Sequence, residues 1–82
     1  MKRIATMGNT VVPALLELEK LGFTVKTGKD SYQCRATRND EEYSADDPVT
    51  VLGLVKLIES RGWNWHASDE EIDATLRRYP LL

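Results

Sequence analysis

The sequence is poor in the residues that most often carry chemistry. It holds one cysteine and one histidine among 82 residues. A single Cys34 excludes an internal disulfide and suits a reducing, cytoplasmic setting. One cysteine and one histidine do not make a transition-metal ligand set. The acidic residues lack the calcium-loop spacing with its central glycine. No glycine-rich phosphate loop and no nucleophile motif is present. No stretch approaches the ~18 apolar residues of a membrane span, and no apolar signal-peptide core follows Lys2 and Arg3. Neither sign of charge dominates: 11 Lys and Arg against 13 Asp and Glu leave a net charge of −2. That balance gives no global electrostatic case for binding nucleic acid or an anionic membrane. Repeats and low-complexity tracts are also missing. The absences together predict a non-catalytic domain without metal or cofactor, and a chain this short has little room for a deep cleft.

What is present reads as one folded unit. Hydrophobic residues at 41% and charged residues at 29% are ordinary for a globular chain, and the length supports one domain with a modest core. The chain is organised around Asp46 to Trp63, its longest apolar segment. Asp47 can accept hydrogen bonds from the free amides of a first helical turn, and Pro48 sits where a missing N–H costs nothing. Gly62 can close the helix in a left-handed conformation, with Trp63 packing back on Ile58. At about 100° per residue, Val51, Leu52, Leu54, Val55, Leu57 and Ile58 cover an arc of roughly 220°. An apolar face this wide requires cover by a sheet and by at least one other helix. The remaining strip is Val49, Gly53, Lys56 and Ser60. Gly53 is either a tolerated substitution or a point of close approach by a partner.

The flanking segments follow in order. Residues 1–8 form a loose N-terminal arm, and residues 9–82 a single domain. Asn9 or Thr10 can cap a first helix reaching about Leu21, with Pro13 in its first turn. Val11, Ala14, Leu15, Leu18 and Leu21 share its apolar face; Val12 and Leu16 lie off it. Gly22 and Phe23 end this helix as Gly62 and Trp63 end the central one. The period then changes to two. Phe23 to Thr27 is a strand, Gly28-Lys29-Asp30 a turn, and Tyr32 to Thr37 a second strand with Tyr32, Cys34 and Ala36 inward. Arg38-Asn39-Asp40 is a second turn. Glu41 to Ala45 is a third strand with Tyr43 and Ala45 inward. Short connections make this an antiparallel meander. Ser68 and Glu71 have capping-box spacing at the start of a third helix, whose stripe is Ile72, Leu76 and Tyr79 and which Pro80 ends. Leu81 and Leu82 should fray. The predicted fold is α+β, a single small domain of order α-β-β-β-α-α, its three-stranded meander packed on the central helix, with the first and third helices flanking it.

Candidate site residues fall in two places. Trp65 and His66 stand beside Trp63 and Asn64, so both tryptophans and the only histidine lie in one short run. Helix closure accounts for Trp63. Trp65 and His66 read either as a contact surface, since aromatics supply large area at low entropic cost, or as sheet-end packing with a solvated histidine. The second place is the acidic stretch Asp40, Glu41, Glu42, Asp46 and Asp47. Asp46 and Asp47 serve the helix start. Asp40 and Glu42 can rim a contact with a basic protein. Cys34 reads as a small core hydrophobe, and nothing in the sequence brings it to His66 as nucleophile and base. Lys26, Lys29, Arg35 and Arg38 read as a solvated sheet surface with cross-strand pairs.

The order helix, three strands, helix resembles the topology of the double-stranded-RNA-binding domain over about three quarters of the chain. Members of that family grip phosphates with a basic cluster at the start of the helix after the meander. Here that position reads Asp46-Asp47-Pro48, of opposite sign. The resemblance therefore implies nucleic-acid binding as the alternative. The leading expectation is a cytoplasmic domain that binds an unidentified, basic protein partner and has no membrane association.

Overall fold

The computed structural model describes residues 1–6, 9–28 and 33–80. The elements run α1 (Val11–Lys20), β1 (Thr24–Thr27), β2 (Cys34–Arg38), β3 (Glu41–Ala45), α2 (Pro48–Arg61) and α3 (Asp69–Arg78). The chain is a small α+β domain: a helix, a three-stranded antiparallel meander in the order β1-β2-β3, then two helices. The positions predicted for Lys29, Asp30 and Tyr32, and the fraying of Leu81 and Leu82, lie outside the described residues, as do Met7 and Gly8 of the arm.

Register explains which side chains meet. Val25, Ala36 and Tyr43 form one cross-strand row, and Thr27, Cys34 and Ala45 the next. Because side chains alternate across a strand, these rows share the face that packs on α2. The core joins Leu18 of α1, Phe23 just before β1, Cys34, Ala36, Tyr43 and Ala45 of the sheet, and Val51 and Val55 of α2. Val25 of β1 and Leu54 and Ile58 of the apolar arc of α2 are partly buried against it. Leu15 is half-buried, and Val11 is exposed at the end of its helix. The opposite face of the sheet carries Lys26, Arg35 and Ser44 in one row and Thr24, Thr37 and Glu42 in another. That face is polar, as the alternation demands.

The helix ends separate what a glycine does in two settings. Gly22 has φ +95°. The Phe23 amide donates to the Leu18 carbonyl at 3.1 Å and the Gly22 amide to Glu19 at 3.0 Å, the paired bonds of a Schellman closure. Phe23 thus returns to the residue five before it. Gly62 differs. At φ +77° and ψ −175° it leaves α2 extended, in a region open almost only to glycine. The chain continues extended, and the Trp63 ring comes to lie near Tyr43 of β3. A Cβ at Gly62 would meet nothing within 4 Å, and the same holds at Gly53. The requirement at Gly62 is thus conformational. Gly53 is exposed on α2 with no close neighbour from elsewhere in the described chain, so nothing there requires a glycine.

The caps follow their sequence signals with one exception. The Asp47 carboxylate accepts from the Thr50 amide at 2.8 Å and from the Thr50 hydroxyl at 3.0 Å, which holds the Asp47 carboxyl below its ordinary range. Ser68 and Glu71 form the complete capping box. Thr10 does not cap α1. Its hydroxyl donates to the Thr6 carbonyl at 3.0 Å and its backbone is already helical, so the side chain ties down the arm and is not free to meet the first-turn amides.

Candidate functional site

The sheet end nearest the β2–β3 turn holds a connected group of aromatic and charged side chains. Asn39 takes φ +54° in the two-residue loop between Arg38 and Glu41, a backbone that asparagine tolerates better than most residues. This turn sets Arg38 and Glu41 side by side. The Arg38 Nε donates to Glu41 Oε2 at 3.2 Å, and an Arg38 terminal nitrogen donates to the Leu21 carbonyl at 2.8 Å. The guanidinium lies 4.1 Å from the Phe23 ring centre. One arginine therefore joins the end of α1, the β2–β3 turn and the core aromatics, and its cation–π contact is partly desolvated.

Glu41 is the hinge of this group. Tyr43 lies two residues along the same strand face, and its hydroxyl donates to Glu41 Oε1 at 2.8 Å. The hydrogen bond from Tyr43, followed by that from Arg38, holds the Glu41 carboxyl below its ordinary value. Burial pushes the Tyr43 phenol up to about 12, with the bond to Glu41 adding to the shift. Tyr43 meets Phe23 edge to face, ring centres 5.4 Å apart at 84°. Trp63 lies on its other side, ring centres 5.8 Å apart and tilted by 32°. Trp63 remains 59% exposed. Together Asp40, Glu41 and Trp63 wall a hollow of about 300 Å³.

Trp65 and His66 lie elsewhere in the α2–α3 connection. Their rings stack with centres 3.9 Å apart and planes 15° apart. Both are exposed, Trp65 at 39%. The backbone is held from α2: the Arg61 Nε donates to the Trp65 carbonyl at 2.9 Å, and a terminal nitrogen lies 3.5 Å from the His66 carbonyl and 3.4 Å from Glu71 Oε1. Arg61 thereby couples the loop to the capping box of α3. Trp63 was expected against Ile58, and Trp65 either at a contact surface or at the sheet end. Trp63 meets the sheet aromatics, while Trp65 stands outward on His66. The reason is the extended backbone at Gly62.

The four residues expected at a contact surface are not one cluster. Asp40 shares a hollow with Trp63, and Trp65 stacks on His66. Glu42 lies on the opposite face of the sheet from Tyr43, 3.9 Å from the Arg35 guanidinium. This diagonal pair is the cross-strand pairing expected of the basic residues on the sheet. Lys29 lies outside the described residues, and Arg38 is committed to the group above. Glu41 and Arg38 are the residues that sequence reading missed. The signals were the turn spacing of Arg38 and Glu41 and the same-face spacing of Glu41 and Tyr43, which become visible only once the turn is fixed.

Two further surfaces are apolar. α3 holds no buried residue. Its stripe of Ile72, Leu76 and Tyr79, predicted to flank the core, is 43%, 44% and 56% exposed. A hollow of about 470 Å³ lies between Ile4, Ala5 and Thr6 of the arm, the first turns of α1 and Val49 and Leu52 of α2. Cys34 is buried, and burial raises its thiol pKa. It packs in the core, whereas His66 is in an exposed loop. Among the described residues no group of three or more His, Cys, Asp or Glu side chains could hold a metal ion, and no helix is long and apolar enough to cross a membrane. No family model, curated protein or solved structure matches this chain.

Proposed function

We propose that this chain is a non-catalytic domain that binds a protein partner, as an adaptor, an inhibitor or a regulator. The observation that carries this reading is α3. It is a ten-residue helix with apolar Ile72 and Leu76 at i and i+4 and Tyr79 at its C-cap, yet none of its residues is buried. Isolated helices shorter than ~12–15 residues are marginal in water, and helices in proteins owe their stability mostly to packing of an apolar face. The capping box and the Arg61–Glu71 contact at 3.4 Å preform this helix without covering its stripe. That is the geometry of a helix offered to an apolar groove on another protein, with Ile72, Leu76 and Tyr79 as the anchors. Trp65 and His66 are exposed just before α3, their backbone held by Arg61, and offer a second set of contact residues. Asp69, Glu70 and Asp73 give the first half of the helix an acidic border, which suits a partner with basic residues beside its groove.

The alternative, nucleic-acid binding, has the α-β-β-β-α topology in its favour. Against it stand the acids at the start of α2, one of which is engaged as the helix cap. The testing experiment is capture of partners from a cell lysate by the parent chain and by Leu76→Asp and Trp65→Ala. The expected outcome is a partner that the parent retains and both variants lose, while circular dichroism shows the fold intact. Equal capture by all three would remove α3 and Trp65 from the contact. Failure to capture a protein, together with a salt-dependent shift of labelled duplex RNA, would replace this reading with the alternative.

A further inference from the structure

We infer that the hollow walled by Asp40, Glu41 and Trp63 is a recognition site for one cationic side chain, an arginine or a lysine, carried by the protein partner proposed above. The inference rests on that reading and names the chemistry of the partner at a second point, away from α3. Three observations carry it. The first is an aromatic face left in solvent: Trp63 is 59% exposed although Tyr43 lies against it at 5.8 Å. Indole is the strongest cation–π acceptor among the side chains, and an arginine or lysine head is what its face attracts. The second is a carboxylate already fixed in place. Glu41 accepts at one oxygen from the Tyr43 hydroxyl at 2.8 Å and at the other from Arg38 at 3.2 Å. A carboxylate oriented by its neighbours loses little freedom when a cation arrives. Each of its oxygens retains acceptor capacity beyond the bond described. The third is the local charge. Asp40 stands exposed at the turn beside Glu41, and the charge of Glu59 also acts on Tyr43. Among the described residues the cation bonded within the group is Arg38, engaged by Glu41, by the Leu21 carbonyl and by the Phe23 ring. Three acids against one engaged base leave the site negative.

The shape agrees with this chemistry. About 300 Å³ accommodates the head of one long basic side chain and not a folded segment. The site is also built by backbone geometry at both ends. Asn39 at φ +54° presents Asp40, and Gly62 at φ +77° presents Trp63. Both side chains remain exposed and available to a partner, although Trp63 also lies near Tyr43.

The test uses the full chain and defined probes: N-acetyl-arginine amide, N-acetyl-lysine amide and tetramethylammonium. Each is titrated while the Trp63 indole and Glu41 amide resonances are followed. The expected result is a saturable shift at both with an amino-acid amide. Asp40→Asn should weaken binding about threefold or more and Trp63→Ala about tenfold, while Trp65→Ala leaves it unchanged. Asp40 is exposed, so its variant keeps the fold and reports on the site even where Trp63→Ala alters the sheet end. No saturable shift with either amide, or binding by Asp40→Asn and Trp63→Ala equal to that of the parent, overturns the inference. Saturation by tetramethylammonium alone overturns it too, since the site would then favour a free quaternary amine. Loss of the cation site with capture through α3 intact sinks this inference alone. Cation binding without any capture supports the site and removes the partner reading.

Discussion

The chain divides at Gly62 into two regions built by similar local rules with opposite results. Before it, α1, β2, β3 and α2 each contribute buried side chains to one core. After it, from Trp63 to Pro80, no residue is buried. Both regions contain an amphipathic helix of ten residues with its termination signals in place. α1 closes by a Schellman bond from Phe23 and α3 opens on a full capping box. The difference is that α1 has α2 and β1 to pack against, whereas the stripe of α3 faces solvent. An apolar stripe is a local property of the sequence; its burial requires a second surface, and here the described chain supplies none. The reading proposed above is that a partner protein supplies the missing cover.

The largest effect should come from the region before Gly62. Val55 is 1% exposed within the core. Val55→Asp would bury a charge without a partner, and the expected cost is on the order of 4 kcal/mol or more. That is a large part of the stability of a domain this size, so chemical denaturation should find the variant largely unfolded in buffer. An unchanged midpoint would mean that the packing of α2 on the sheet is not what holds the chain together.

A smaller effect probes the boundary between the regions, where Tyr43 meets Glu41 and Trp63. The Tyr43 phenol has a folded-state pKa of about 12 against an ordinary 10.0. The folded chain holds that proton more tightly, so the contribution is whole below pH 10.0 and is lost as pH rises through about 12. Glu41 runs the other way. Its pKa is lowered from 4.5, so its contribution is present above 4.5 and is lost as pH falls through the depressed value. Tyr43→Phe deletes one hydrogen bond to a carboxylate, at a cost of about 1–2 kcal/mol near neutrality. Thermal midpoints followed with pH should lose the fall above pH 10.0 that the parent shows. If the variant and the parent fall together in alkali, another group governs that limb.

These regions were not equally legible from sequence. The element order, the strand limits of β3 and the bounds of α2 followed from period, turn residues and caps. So did the inward placement of Cys34, Tyr43 and Ala45. All of these depend on neighbours within a few residues. Val11 was misjudged because the end of a stripe has no cover beyond it. The Thr10 cap failed because Thr6, an acceptor four residues away, won its hydroxyl. The place of Trp63 against Tyr43 was not legible because a glycine signals permissive backbone without saying which permitted region is used. At ψ −175° Gly62 leaves the helix extended, not in the left-handed turn of a Schellman closure. The Arg38–Glu41–Tyr43 group depended on a two-residue turn whose geometry places Arg38 opposite Glu41. Asp40 and Glu42 were read as one acidic rim, but strand alternation puts their neighbours Glu41 and Arg35 on opposite faces of the sheet.

The smallest expected effect on stability is the most informative about function. Leu76→Ala and Leu18→Ala remove the same atoms from two helices. Leu18 is fully buried, and its truncation should cost about 2–5 kcal/mol through lost transfer energy and a residual cavity. Leu76 is 44% exposed on a helix with no buried residue, so its truncation leaves no cavity. Alanine is also the better helix former. The denaturation midpoint should therefore move by less than about 0.5 kcal/mol, and partner capture should fall although the fold is kept. That pairing separates an uncovered recognition helix from a packed one. If Leu76→Ala costs as much as Leu18→Ala, the stripe is covered in solution. Sedimentation at increasing concentration would then show by what. A mass that rises with concentration would put a second copy of the chain on α3. A constant mass would mean that α3 folds back on its own domain, and the contrast drawn at Gly62 would no longer hold.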